Sequence, residues 1–265
     1  MRNVSRRHFL LGGAGALSTG MSGACTQGTE DGPTGEVIAF RGEHQSGILS
    51  PAQQQIIMVA FDMVADRRKD LIDLLSKWTI AAERMQAGQP VNDPKVNDNV
   101  PPDDTGEAMG LTASNLTITF GFGRTLFQHD TYGDRFGIAQ RMPTVLANGI
   151  PRMAAEYLDK DKSDGDLVIQ ICAEDPMVVL HAMHQFKRIA FGTVSVKWMQ
   201  LGYGRTSSTS TEQETPRNLF GFKDGTANIK AEDNTQELAK HLWIQPTDDA
   251  HWAAGAPIYA CVKSA

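Results

Sequence analysis

The order of apolar periodicities constrains this chain most. Gln55 to Met63 (QIIMVAFDM) is a continuous apolar run, the pattern of a buried strand. From Asp66 to Ala87, residues Leu71, Leu75, Trp78, Ala82 and Met85 recur at three- or four-residue spacing, which predicts an amphipathic helix ended by Gly88 and Pro90. Leu116, Ile118, Phe120 and Phe122 alternate with Thr117, Thr119 and Gly121, the mark of a half-buried strand. Leu167, Ile169 and Ile171 alternate in the same way. Asp175 then stands as an N-cap with Pro176 as first helical residue, and Val179, Met183, Phe186 and Ala190 form one face of a second helix closed by Gly192. Val194, Val196 and Trp198 make a fourth strand. Strand–helix–strand–strand–helix–strand predicts a ferredoxin-like βαββαβ sandwich of the α+β class.

The segments between these elements are polar. Residues 26–47 read as a linker or first loop, and 91–110 as a loop rich in Pro and Asp. Residues 123–164 are long and irregular, with a helical turn expected from Met153 to Leu158; a loop of that length in a compact domain is usually functional. The chain of 265 residues is 41% hydrophobic and carries a net charge of -6, so it has no general electrostatic pull toward nucleic acid. Its three cysteines, Cys25, Cys172 and Cys261, are too few and too far apart for a disulfide framework. Cys172 lies in an alternating apolar run, which predicts a small buried thiol. No apolar run reaches the roughly 18 residues that span a bilayer.

The first residues, MRNVSRRHFL, precede a small and apolar run from Leu11 to Ala24. A basic stretch followed by a short apolar one is the build of a signal peptide. Ser5-Arg6-Arg7-His8-Phe9-Leu10 is similar to a twin-arginine signal, which implies export of a folded chain by the twin-arginine translocase to a periplasmic or other extracytoplasmic location.

The chemistry-bearing stretch follows the expected sandwich: Asn218-Leu219-Phe220-Gly221-Phe222-Lys223-Asp224-Gly225-Thr226-Ala227. Taken alone, Asp224-Gly225 reads as a surface turn. Glycines on both sides of an Asp also let a flat ligand approach the backbone, and a partly desolvated Asp can move protons. The wider pattern resembles the dye-decolourising haem peroxidase family, whose GxxDG motif matches Gly221 to Gly225. Gly121-Phe122-Gly123, Leu126-Phe127 and Asp134-Arg135-Phe136-Gly137 resemble the family's loop after its second strand. Gln170 to Pro176, Phe191 to Val194 and Gly202 to Arg205 are similar to further family segments. The resemblance spans roughly residues 36–255 and points most strongly to an exported deferrochelatase/peroxidase branch.

This resemblance implies two ferredoxin-like domains with haem b between them, and hydrogen peroxide as oxidant. It assigns Asp224 the distal acid–base role and places Gly225, Thr226 and Ala227 against the haem. It implies a small reductant or haem as co-substrate, iron-uptake components as partners, and a homo-oligomer at full length. The implied division is a signal at 1–27, a linker at 28–47, the N-terminal peroxidase domain at 48–230 and a shortened start of the second domain at 231–265.

The family also requires a proximal His and a distal Arg, both in the second domain. The 40 residues 226–265 hold no match for either, and from Gly255 onward the sequence leaves the family pattern. The expectation is therefore a chain shortened by a premature stop, a frameshift or a split frame. The alternative function is an inactive exported domain that serves as a binding module or is a remnant. His181 and His184 lie one turn apart on the second helix; with no third ligand evident in the sequence, they read as a polar helix face.

Overall fold

A computed structural model describes residues 35–92, 104–151, 154, 156–204, 217, 221–223, 229–230, 232–233 and 235–258. The signal segment and Cys25 lie outside these residues.

Four strands, β1 (Gln55–Met63), β2 (Thr117–Phe122), β3 (Leu167–Ala173) and β4 (Val194–Tyr203), form one sheet in the order β2-β3-β1-β4. Every pairing is antiparallel. That order, with helix α1 (Arg68–Gln86) between β1 and β2 and helix α4 (Pro176–Ile189) between β3 and β4, is the ferredoxin-like topology the periodicities predict. Short helices α2 (Arg124–Phe127) and α3 (Thr144–Asn148) lie in the connection to β3, and α5 (Thr235–His241) follows the sandwich.

Alternation decides which residues meet. Ile57, Val59, Phe61 and Met63 of β1 and Leu167, Ile169 and Ile171 of β3 point to the helices, where they pack with Leu71, Leu74 and Trp78 of α1 and Val179, Met183 and Phe186 of α4. Trp78 sits at the centre, 5.2 Å from Phe61, 6.0 Å from Phe120 and 5.8 Å from Phe186 between ring centroids. Its indole N–H donates to the Phe186 carbonyl at 3.1 Å, so its polar atom is satisfied inside the core. Burying each such side chain contributes about 1.5–3 kcal/mol.

The Asp175 carboxylate accepts from the amides of Met177 and Val178 at 2.7 and 3.4 Å, and Pro176 opens α4 as expected. The expected helical turn near Leu158 is absent: residues 156–158 are irregular, and Met153 lies outside the described residues. The turn occurs earlier, as α3, because Pro143 supplies a rigid start and Gly149 a left-handed stop at φ 61°.

The face of the sheet away from the helices is covered by the strap at 45–53. Thr119 Oγ1 donates to the Ser46 carbonyl at 2.7 Å, and Gln53 Nε2 donates to Thr117 Oγ1 at 3.0 Å. Gly47 in this strap has φ 92°, and a Cβ there would stand 2.5 Å from Thr119 Oγ1, so the close approach requires glycine. Cys172 is buried on this face. Burial pushes its thiol up to about 12, against a smaller opposing effect of the Thr117 hydroxyl, which makes it an inert core group as expected.

The two sheet edges differ. On β2 the outward amide of Ile118 donates to Gln86 Oε1 at 2.9 Å, and the Phe120 amide and carbonyl bond the side-chain amide of Gln45 at 3.0 and 3.1 Å. On β4 the residues paired with Ile57 and Val59 are Leu201 and Met199; together with Val196 and Tyr203 they are exposed at the free edge. A bulge at Ala60/Phe61 sets Lys197 out of register, with its ammonium 3.5 Å from Asp62. Among the described residues no helix is long and apolar enough to cross a membrane.

Candidate functional site

The polypeptide leaves β4 at Tyr203, and the Gly204 amide donates to the Gln54 carbonyl at 2.9 Å. The next described part of the motif is a turn. Arg217 and Lys223 pair as an isolated antiparallel bridge, and Arg217 Nη1 donates to the Gly221 carbonyl at 2.7 Å across it. Gly221 has φ 83°, a conformation that favours glycine, which gives the first Gly of the motif a physical reason. Phe222 is exposed on this turn. Asp224, Gly225, Thr226 and Ala227, which begin one residue beyond the bridge, lie outside the described residues.

The chain after the motif returns to the sandwich. Trp243 bridges to Pro257, and its ring stacks on His44 at 3.6 Å with 6° between planes. His44 Nδ1 donates to the Gly255 carbonyl at 2.8 Å. Trp252 packs against Phe122 and Phe127, and its N–H donates to the Arg141 carbonyl at 2.8 Å. The Thr144 amide donates to Asp249 at 2.8 Å. These contacts tie residues 243–257 to the strap before β1 and to the loop after β2.

That loop is built on a buried ion pair. Arg135 Nη2 meets Asp166 Oδ2 at 2.5 Å, Nη1 donates to the Met63 carbonyl at 3.0 Å, and the Met63 amide donates to Asp166 at 2.8 Å. The guanidinium also lies over the rings of Tyr132 and Phe136, 5.4 and 5.1 Å from their centroids. Asp134 caps the next turn by accepting from the amides of Ile138 and Ala139. Partial burial raises its carboxyl, but these and neighbouring amides outweigh that and hold it below the ordinary range. Asp134-Arg135-Phe136 is thus a structural part: it fixes the loop against the end of β1. Asp166 was not visible as a partner in the sequence; its signal was a charged residue set directly before an apolar strand.

His181 and His184 are not a plain polar face. Glu107, from the loop before β2, accepts from both: Oε2 from His181 Nδ1 at 2.9 Å and Oε1 from His184 Nδ1 at 2.6 Å. Partial burial raises the Glu107 carboxyl, and hydrogen bonds from Thr105, His181 and His184 together outweigh it, bringing it down to about 2. Asp104 Oδ2 lies 3.6 Å from His181 Nε2. No group of His, Cys, Asp and Glu among the described residues is arranged to hold a metal ion.

The remaining described histidines have local surroundings of their own. His129 Nδ1 accepts from the amides of Thr131 and Tyr132, His241 lies 3.4 Å from Glu237, and His251 is exposed on a surface turn. The His44 ring is occupied by its stack on Trp243, and His181 has a carboxylate at each nitrogen.

The comparisons place the scaffold. Residues 45–204 match the family described as Dyp-type peroxidase, N-terminal, and residues 215–264 match Dyp-type peroxidase, C-terminal. The chain belongs to the Dyp-type peroxidase family. Within it, the sequence is 35% identical over 273 aligned residues to the deferrochelatase of Escherichia coli O6:K15:H31, covering 97% of this chain and 62% of that protein. The chain thus spans less than two thirds of the length of the curated relatives it matches. Among solved structures it is similar to the oxyferrous/water mixed complex of DtpA from Streptomyces lividans, with a TM-score of 0.69, 32% identity and coverage of 84% of this chain and 55% of that one. It is also similar to the DyP-type peroxidase from Cellulomonas bogoriensis, with a TM-score of 0.66, 30% identity and coverage of 84% and 56%.

Proposed function

We propose that this chain is the N-terminal part of an exported haem b peroxidase that uses hydrogen peroxide to oxidise small organic substrates or ferrous iron, with iron release from haem as a further activity. The observation that carries the reading is the GxxDG run, Gly221 to Gly225, directly after a ferredoxin-like sandwich in a Dyp-type peroxidase chain. Relatives named deferrochelatase support iron release from haem. The domain division at residue 230 and a homo-oligomer at full length belong to the same reading.

In this reading Asp224 is the acid–base group. Its carboxylate takes a proton from one oxygen of hydrogen peroxide and returns it to the oxygen that departs. Arg217 holds the turn that precedes Asp224, and in this reading Gly225, Thr226 and Ala227 would help to hold haem b, which would supply the redox chemistry.

The test joins this chain to the C-terminal half of the Escherichia coli deferrochelatase. Asp224→Asn in that fusion should slow peroxide-dependent dye oxidation by roughly 100- to 10,000-fold while haem content, read from the Soret band, stays constant. An unchanged rate removes Asp224 from the mechanism. The 265-residue chain alone should show no activity above free haem. The second reading, a non-catalytic exported domain, prevails if the fusion binds haem but never turns over. Export is tested separately: Arg6→Lys with Arg7→Lys should retain the precursor inside the cell, and normal export of that variant ends the twin-arginine assignment.

A further inference from the structure

We propose that Glu107, His181 and His184 form an acid-set latch: protonation of the two imidazoles binds the loop at 104–111 to α4, and their deprotonation releases it. The peroxidase reading has no use for these residues.

The geometry carries the argument. Residues 87–116 connect α1 to β2 with no regular element among those described. A connection of that length gains order only where side chains pin it. Here the pins converge on one turn of α4. Glu107 spends one carboxylate oxygen on each imidazole. Asp104 accepts from the Val91 and Gly106 amides at 3.0 and 2.8 Å and from Gln185 Nε2 at 3.3 Å. Gln185, fully buried, also donates to Thr105 Oγ1 at 2.6 Å.

His181 is the sensitive member. It is buried, with Glu107 at Nδ1 and Asp104 at Nε2. Both partners are acceptors, but a neutral imidazole has a single N–H. In the neutral ring one nitrogen therefore turns a lone pair toward a carboxylate; the imidazolium donates to Glu107 from Nδ1 and turns its charged Nε2–H toward Asp104 Oδ2, 3.6 Å away. His184, half-buried, adds a second charge-assisted bond to Glu107. Imidazole is the side chain that changes charge between about pH 5 and 8. Glu107 stays ionised throughout that window, since its carboxyl sits at about 2.

The other charges nearby do not cancel this. On α4 the next cations are Lys187 and Arg188, exposed one turn beyond His184. From α1 the side chains packed in the core beside α4 are Leu71, Leu74, Trp78 and Ala82, none of them ionisable. On the loop the described carboxylates are Asp104 and Glu107 themselves. The latch thus joins two imidazoles to the carboxylates of Glu107 and Asp104, and acid tightens it.

Hydrogen exchange of the full chain tests it, with rates converted to protection factors so that the intrinsic pH dependence is removed. Protection of the 104–111 amides, relative to those of β3, should be about tenfold higher near pH 5.5 than near pH 8, the ratio supported by a hydrogen bond to a charged group. Glu107→Gln should abolish that difference while leaving β3 protection at the higher pH unchanged. His184→Gln, at a half-exposed position, should halve the response and serves if Glu107→Gln does not fold. Equal loop protection at both pH values overturns the proposal, and so does an undiminished response in either variant.

Discussion

The two edges of the sheet face the same hazard and meet it differently. A free strand edge offers unpaired amides and carbonyls to any other strand. On β2 the chain covers its own edge: Gln86 reaches Ile118 and the Gln45 amide bonds Phe120 as a strand neighbour does. On β4, ten residues long, Val196, Met199, Leu201 and Tyr203 lie exposed on the outer strand, where the described residues show the bulge with Lys197 and the Trp198 indole N–H donating to the Asp164 carbonyl at 2.7 Å. The contrast teaches that side-chain amides can finish a sheet, and that among the described residues β4 is the less covered side.

The strongest way to break that comparison is Gln86→Leu. Gln86 is fully buried at the end of α1; besides Ile118 it accepts from Ser46 Oγ at 3.0 Å and donates to the Ile38 carbonyl at 3.1 Å. Removing it leaves two buried polar groups and the part-buried Ile38 carbonyl unpaired and should cost about 2–4 kcal/mol in urea unfolding. A loss below about 1 kcal/mol would show that water replaces the amide and that the closed edge needs no glutamine.

The loop that enters β2 gives the next largest effect, in acid. The folded-state carboxyl of Glu107 is depressed from 4.5 to about 2. A depressed carboxyl contributes stability that is present above pH 4.5 and is lost as the pH falls from there toward 2. Wild type and Glu107→Gln should therefore differ near pH 5, where the imidazoles are paired with the carboxylate, and converge near pH 2 in thermal unfolding. Parallel curves across that range would detach the loop from the stability of the closed side.

Gln45→Ala should act locally. The side chain is exposed, so the loss should be about 0.5–1 kcal/mol, but the Phe120 amide should exchange faster while those of β3 do not change. Equal acceleration in both strands would make Gln45 a global rather than an edge contact.

Met199→Lys with Leu201→Lys sharpens the other half of the comparison and should have the smallest effect on stability, within about 0.5 kcal/mol. Its readout is association: charged residues on an exposed edge oppose strand pairing, so the variant should sediment at a lower average mass than wild type. Identical sedimentation would mean that β4 is not the sticky edge.

Several parts of this protein were legible without coordinates. The alternation at Leu167, Ile169 and Ile171, the helical spacing through Trp78, and the Asp175-Pro176 start of α4 are local signals with periods set by backbone geometry, and together they determined the βαββαβ order. The run Gly221 to Gly225 was readable for a similar reason: two glycines and an Asp at fixed spacing sit within five positions. Other features depend on partners far apart in the chain. Arg135 finds Asp166 31 positions away, Gln86 finds Ile118 at 32, and Glu107 meets His181 and His184 at 74 and 77. From the sequence the two histidines formed a polar helix face without a third group, because a loop carboxylate has no periodicity to announce where it will land. Only the folded sheet brings β2 beside β3 and lays that loop across α4, and burial then decides which of these polar groups must pair.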